Sequence, residues 1–420
     1  MALERVELFN RKDFLSFLLL CSFILCYSLL INFQNYKNIT RFDSYIIDAT
    51  VLKQYAKTKD SKSYQVLKLK TDNGITFYTG AKESFEDVKG KELTLEIFAA
   101  KISFYEYLTS FYAYSRVQNI HKAITLKQKL NSYIASEHDS QNITNIYQAL
   151  FSATPLDRNL QTTFSTLGVS HLLAISGFHL GVLSGILFFL IRPIYKFFQN
   201  RYFPYRNSKS DIFLVVAFFL LVYLNFLGSP PSLLRAYGML IIGFVLYDRG
   251  IKIISMQTLL LTVILLLVIF PKLLFSLGFW LSISGVFYIF LFLIHFKHLS
   301  QIWQFIIIPF WVYILMLPLS LTIFSNFSIY HPLSIIWTSL FTIFYPLSIV
   351  LHLLGFGNIF DGVLESLMQL AQNQTSVELD AKILLLHIGL SLISIYKKGF
   401  VYLLLTFSFC VLIYAIYHVT

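Results

Sequence analysis

Apolar runs of membrane-crossing length recur along this chain, and few folds accommodate them. A helix needs about 20 such residues to cross the hydrocarbon core of a bilayer. Candidate spans lie at 14–31, 171–191, 212–228, 233–247, 255–270, 273–294, 303–324, 332–354, 383–396 and 400–417. Of 420 residues, 56% are hydrophobic and 13% charged, more apolar surface than a soluble core of this size can hide. A purely soluble enzyme is excluded. The expectation is a polytopic α-helical membrane protein with roughly eight to ten crossings.

The formal net charge of +11 is not by itself a nucleic-acid signature, because cytoplasmic loops collect Lys and Arg for topological reasons. Arg5, Arg11 and Lys12 precede the first run, which lacks a cleavage site and reads as an uncleaved span with a cytoplasmic N-terminus. Between Arg192 and Ser210 stand Arg192, Lys196, Arg201, Arg206 and Lys209 with no acid, a second cytoplasmic marker. Cys21, Cys26 and Cys410 all sit in apolar runs, against both a disulfide framework and a thiolate metal cage.

Between Tyr36 and Arg116 the composition turns soluble and alternating. Leu67 and Leu69 face one way and Lys68 and Lys70 the other; Asp72-Asn73-Gly74 supplies a hairpin turn before Ile75, Phe77 and Thr79. Leu93, Leu95 and Ile97 then alternate with Thr94 and Glu96. Several short strands in so few residues predict a small, closed or nearly closed β-barrel, of which the OB-fold is one and among which periodicity alone does not choose, on the outer side of the membrane. From Ile124 to Ser165 the period becomes helical and amphipathic, a connector ending at Gly168.

Prolines interrupt the later spans: Pro230 and Pro231 before 233–247, Pro309 and Pro318 within 303–324, Pro346 within 332–354. Broken helices at membrane depth are tolerated where they are buried in protein or line water, so an aqueous path is expected. Residues 359–371 place Phe360, Val363, Leu364, Leu367, Met368 and Ala371 opposite Asp361, Glu365 and Gln369, predicting an interfacial amphipathic helix.

Three clusters can carry chemistry. In GVSHLLAISGFHLGVLSG, Gly168–Gly185, the glycines at 177, 181 and 185 leave one helix face bare for close packing, and Ser170, His171, Ser176 and His179 add polar groups. These either satisfy interhelical hydrogen bonds or border a polar conduit. In GSPPSLLRAYGML, Gly228–Leu240, Arg235 enters an apolar helix after Ser229, Pro230 and Pro231. Such an Arg costs roughly 2.5–3.5 kcal/mol on insertion scales, so it either grips an anion or snorkels. In SLGFWLSISGVF, Ser276–Phe287, Gly278 and Ser282 are small groups suited to packing. His295 and His298 at a helix end read as a polar cap, and no metal or cofactor is expected. No phosphate-binding G-x-x-x-x-G-K-[ST] loop occurs, and acids are almost absent from the spans, which suits a passive or externally driven conduit better than a pump or an enzyme.

GVSHLLAISGFHLG, Gly168–Gly181, closely resembles the signature of the ComEC competence-protein family. Ser229-Pro230-Pro231-Ser232 with Arg235-Ala236, and Gly278-Phe279-Trp280-Leu281-Ser282, resemble two later family elements in the same order. Phe178, Leu180 and Trp280 depart from the usual residues, as does the stretch Pro332-Leu333-Ser334-Ile335. The resemblance implies an inner-membrane channel that passes one strand of incoming DNA to the cytoplasm during natural transformation. The expected organisation is an anchor at 1–35, an OB-like barrel at 36–120, a helical connector at 121–170 and the channel at 171–420. Channel candidates are His171, Ser176, Gly177, His179, Gly181, Ser229, Pro230, Pro231, Arg235, Gly278 and Ser282. Tyr64, Lys68, Lys70, Phe77 and Tyr78 are the barrel's candidates for holding single-stranded DNA. Expected partners are single-stranded DNA, the lipid bilayer, a delivery protein outside, a cytoplasmic motor, single-strand-binding proteins and a separate nuclease. The alternative is a transporter or flippase for another anionic or lipid substrate, with the barrel as a docking module.

Overall fold

A computed structural model of the chain describes residues 11–59, 62–71, 74–121, 126–173, 175–250, 253–372 and 375–419. It divides into two compact units, Phe9–Leu130 with Ile264–Leu277, and Asn131–Val263 with Gly278–Thr420.

In the smaller unit, helix α1 (Arg11–Thr40) leads to strands β1 (Tyr45–Lys59), β2 (Lys62–Thr71), β3 (Thr76–Lys82) and β4 (Glu92–Phe98). Helix α2 (Phe104–Thr109), β5 (Phe111–Tyr112) and β6 (Tyr114–His121) follow. The alternation read from the sequence sets the faces: Leu67, Leu69, Phe77, Leu93, Leu95 and Ile97 are all fully buried in one core. Each such side chain contributes roughly 1.5–3 kcal/mol by leaving water. Gly74 takes the left-handed conformation at φ +72°, and its N–H donates to Thr71 O at 2.9 Å, closing the β2–β3 hairpin. Asp72 and Asn73, predicted in that turn, lie outside the described residues.

The expected closed barrel is corrected. The ladder is an open six-stranded sheet in the order β5-β3-β2-β1-β4-β6. After two residues beside β3, the chain leaves at Ala113, whose N–H still donates to Tyr78 O, and β6 then pairs with β4. No continuous ladder forms between β3 and β6; a hydroxyl pair, Thr79 with Ser115 at 2.8 Å, ties them instead.

The larger unit opens with α3 (Leu126–Ser136), whose first residues belong to the smaller one, then α4 (Gln141–Ser152), α5 (Arg158–Thr166) and α6 (Ser170–Leu173). Next come α7 (Gly177–Tyr202), α8 (Ser208–Phe226), α9 (Pro231–Asp248), α10 (Met256–Ile269), whose last residues from Ile264 belong to the smaller unit, α11 (Leu277–His295), whose first residue does too, and α12 (Gln301–Phe324). The order ends with α13 (Ser334–Leu353), α14 (Asp361–Gln369), α15 (Ala381–Ile393) and α16 (Lys398–Tyr417). Among the described residues seven helices are long and apolar enough to cross a membrane, and α10 and α15 are shorter apolar helices. The chain is a multi-pass membrane protein.

Two expectations change here. Pro309, Pro318 and Pro346 do not break their helices; α12 and α13 run through them. A proline disturbs the carbonyls one turn before it. In α12 the Leu315 carbonyl, in the turn before Pro318, also meets the His387 Nε2 from α15 at 3.0 Å. Residues 359–371 are helical as predicted, with Leu364, Leu367 and Ala371 buried, but Asp361 faces protein and bonds to His138.

Candidate functional site

Strand register assembles one surface of the smaller unit. Tyr64 lies opposite Lys82, Val66 opposite Gly80, Lys68 opposite Tyr78, and Lys70 opposite Thr76. On the other side of β2, Lys57 lies opposite Tyr64, Tyr55 opposite Val66 and Lys53 opposite Lys68. Directly opposed residues share a face, so this face interleaves Tyr55, Tyr64 and Tyr78 with Lys53, Lys57, Lys68 and Lys82. The Lys68 Nζ sits 5.4 Å from the Tyr78 ring centre. Bare Gly80 gives the rings their floor: a Cβ there would meet the Tyr112 hydroxyl at 2.8 Å and Tyr64 at 3.9 Å. Beyond it Tyr112 and Tyr114 meet edge to face at 5.5 Å, both exposed. Aromatic planes beside ammonium groups are what single-stranded nucleic acid needs, stacking for bases and charge for phosphates.

Lys70 belongs to a second feature of this unit. Burial, and then repulsion from Lys70, pushes Lys127 and Lys272 each down to about 8, and burial lowers Lys70 as well. Three ammonium groups gathered in partly desolvated surroundings attract an anion. The Lys272 Nζ also lies 4.9 Å from the Tyr107 ring centre.

Of the five candidates in this unit, Tyr64, Lys68, Lys70 and Tyr78 lie on or beside that face. Phe77 does not. It is fully buried and stacks on Phe111 at 5.6 Å, so it belongs to the core and not to a base platform. Sequence reasoning missed Tyr112 and Tyr114, whose alternation around Ala113 was a usable signal. It also missed Lys272, which is some 200 residues distant in the chain and gave none.

In the larger unit, Gly168 has φ +71°, and a Cβ there would strike the His331 imidazole at 2.7–2.9 Å. No other residue fits both demands. His331 is buried, its Nδ1 meets the Tyr313 hydroxyl at 3.0 Å, and its ring stacks on Phe327. The chain then turns through α6 to Ser176, which caps α7: the Ser176 N–H donates to His179 Nδ1 at 3.1 Å, His179 taking the place a Glu holds in a capping box. The buried His179 ring packs on Tyr345 at 4.6 Å and Phe341 at 5.2 Å. His171 is exposed and reaches Thr338 at 3.4 Å. The motif thus folds around a three-histidine neighbourhood, of which His331, beside Pro332, went unrecognised in the sequence.

The glycine ridge is only partly used. Gly177 faces Ala236 of α9, where a Cβ would sit at 3.4 Å, whereas Gly181 and Gly185 have open space around them. Ahead of α9, Gly228 and Ser229 both take positive φ, +75° and +50°, ending α8 with Ser229 N–H on Leu224 O. Pro230 is extended and Pro231 opens α9. Arg235, one turn in, is 6% exposed, and its guanidinium lies against Gly278 of α11, where a Cβ would meet Nη1 at 3.3 Å. Its Nε is buried without a hydrogen-bond partner, and the ion pairs among the described residues do not include it. Two clusters read separately in the sequence therefore form one contact, while Ser282 is exposed on α11 away from that role. A cavity of about 500 Å³ joins the motif to the α9 entry, lined by Thr162, Ser165, Ser170, Pro230, Ser232 and Asn326 among others. The rest of the lining is largely apolar, with Leu156, Phe164, Leu173, Ile175 and Phe324, so polar and apolar walls share the cavity.

A family model described as competence protein matches residues 153–419. The chain belongs to the competence protein family. The family match contains Gly168, His179, Arg235, Gly278 and His331, and it leaves the tyrosine and lysine sheet outside. A stretch of 229 residues is 31% identical to ComE operon protein 3 of Bacillus subtilis (strain 168), covering 52% of this chain and 28% of that protein. No solved structure matches the chain.

Proposed function

We propose that this competence-family chain is the membrane conduit for a single DNA strand during natural transformation, non-enzymatic in itself and moved along by partner proteins. Arg235 carries the reading: a guanidinium buried among apolar helices, with a bare Nε and no carboxylate among the described ion pairs. A buried cation is stable when it is paired, and a passing phosphate supplies the missing anion in bidentate fashion. Gly278 leaves the guanidinium its room, and contacts of this kind must be loose enough to release each phosphate in turn.

The sheet of the smaller unit is the strand's holding surface, outside the cytoplasm, with Tyr64, Tyr78, Tyr112 and Tyr114 for bases and Lys53, Lys57, Lys68 and Lys82 for the backbone. The His171–His179 neighbourhood and the partly polar cavity beside Pro230 and Ser232 border the strand's path. A delivery protein outside, a cytoplasmic motor with single-strand-binding proteins and a separate nuclease complete the system in the inner membrane.

The test is binding of a fluorescent oligonucleotide by the full chain in lipid nanodiscs. Affinity for single strands should fall with salt by about 0.7 logarithmic unit per phosphate contact for each tenfold rise in salt. Replacing Lys53, Lys57, Lys68 and Lys82 together by Gln should flatten that slope. Salt-independent or absent binding would favour a transporter of another anionic or lipid substrate.

A further inference from the structure

A chain of polar groups lies buried at the junction of α3, α13 and α14, apart from the site above. His138 Nδ1 is 3.0 and 3.1 Å from the two carboxylate oxygens of Asp361. His138 Nε2 is 3.0 Å from His352 Nε2, and His352 Nδ1 is 2.7 Å from the Ser348 carbonyl. His138 and His352 are 7% and 5% exposed.

The protons can be counted from donor and acceptor rules alone. A carbonyl only accepts, so His352 Nδ1 carries the hydrogen, and a neutral His352 presents a bare Nε2. An ionised Asp361 also only accepts, so His138 Nδ1 carries a hydrogen, and a neutral His138 likewise presents a bare Nε2. Two lone pairs would then face each other at 3.0 Å. The contact closes only with one more proton. That proton can sit on His138, on His352, or on Asp361 with the imidazole hydrogen shifted along the chain, and the total is the same in each case.

We infer that Asp361, His138 and His352 together bind one proton beyond an ionised carboxylate and two neutral imidazoles, forming a proton-binding site in the larger unit. The surroundings fit a shared positive charge. Tyr147 from α4 stacks on His138 at 4.5 Å and 2°, an arrangement that favours a cationic ring. Glu137, just past α3, accepts the Gly357 N–H at 2.7 Å, and Gly357 lies against the His352 ring. Tyr133 of α3 donates to the His352 carbonyl at 2.6 Å. Gly357 leaves no room for a side chain, since a Cβ would meet Glu137 at 2.6 Å and the His352 ring at 2.9 Å. Loss of the proton leaves the part-buried Asp361 carboxylate and two opposed lone pairs between His138 and His352. α13 also presents Phe341 and Tyr345 to His179.

The sign of the pH effect follows. Above about 6.5 an unfolded chain holds both histidines neutral, so the folded state binds one proton more. Folding then weakens as pH rises, by up to tenfold in the folding constant per pH unit until the proton leaves. His352→Gln tests this, because an amide N–H can donate to the bare His138 Nε2 with no extra proton. The full chain in nanodiscs should melt at a temperature that falls between pH 7 and 9, and His352→Gln should remain folded with that fall abolished. In ¹⁵N-histidine spectra at pH 7.5, the wild type should show coupling between two Nε2 nitrogens, lost in His138→Gln. Identical pH profiles for wild type and His352→Gln overturn the inference. So does one equivalent of zinc in the purified chain that His138→Gln removes, since a metal would then occupy the proton's place.

Discussion

At the scale of single residues the account turns on groups whose surroundings leave them one role. Arg235 is buried with no carboxylate paired to it among the described residues, so it burdens the fold, and Arg235→Met should leave thermal stability unchanged or raised by about 1–3 kcal/mol, read from melting of the full chain in lipid. A stabilising role for the guanidinium would show as a loss of that size. Gly168 is the opposite case. Gly168→Ala brings a Cβ against His331 and strains a backbone at φ +71°, which should destabilise by about 1–3 kcal/mol, with part of the loss recovered when His331→Ala is added. Lys127 and Lys272 give a pH signature. Burial holds both near 8, so their charge is full well below that pH and lost as pH rises through it. Affinity for single strands should therefore fall between pH 7 and 9, and less so in the Lys127→Gln/Lys272→Gln variant. The motif residues were legible because histidine, serine and glycine are conspicuous in an apolar background; His331 was not, since nothing local ties it to Gly168.

At the scale of elements, periodicity carried most of the information. The inward leucines of β2 and β4 were readable as alternation, and Leu95→Ala should cost about 2–5 kcal/mol, measured by denaturant unfolding followed at the smaller unit's tyrosines. What alternation cannot show is which strands adjoin. The open order β5-β3-β2-β1-β4-β6 depends on where the chain changes partner at Ala113, a choice made by tertiary pairing. Phe77 was misread for the same reason, since only the register puts it against Phe111. Register also makes the tyrosine face. Replacing Tyr112 and Tyr114 by Ala should weaken oligonucleotide binding by about 1–3 kcal/mol for each base unstacked, with melting of the chain unchanged. Prolines misled in the other direction: α12 and α13 keep their course through Pro309, Pro318 and Pro346, since a helix in lipid tolerates proline where its surroundings re-satisfy the freed carbonyls.

At the scale of the whole molecule, composition alone established a membrane protein, and the order of three short clusters pointed to the family that the match over residues 153–419 then showed. The convergence of those clusters was not legible: Arg235 on Gly278, and Ser170 with Pro230 around one cavity, are products of helix packing. Together they bring a buried guanidinium and a cavity of mixed polar and apolar lining into the larger unit. The most direct test is entry of end-labelled DNA into cells whose own copy of the gene is deleted and which express either the wild-type chain or Arg235→Met at equal membrane levels. The account expects nuclease-protected label to accumulate with the wild type and to fall at least tenfold with Arg235→Met. Equal accumulation with both chains would contradict it.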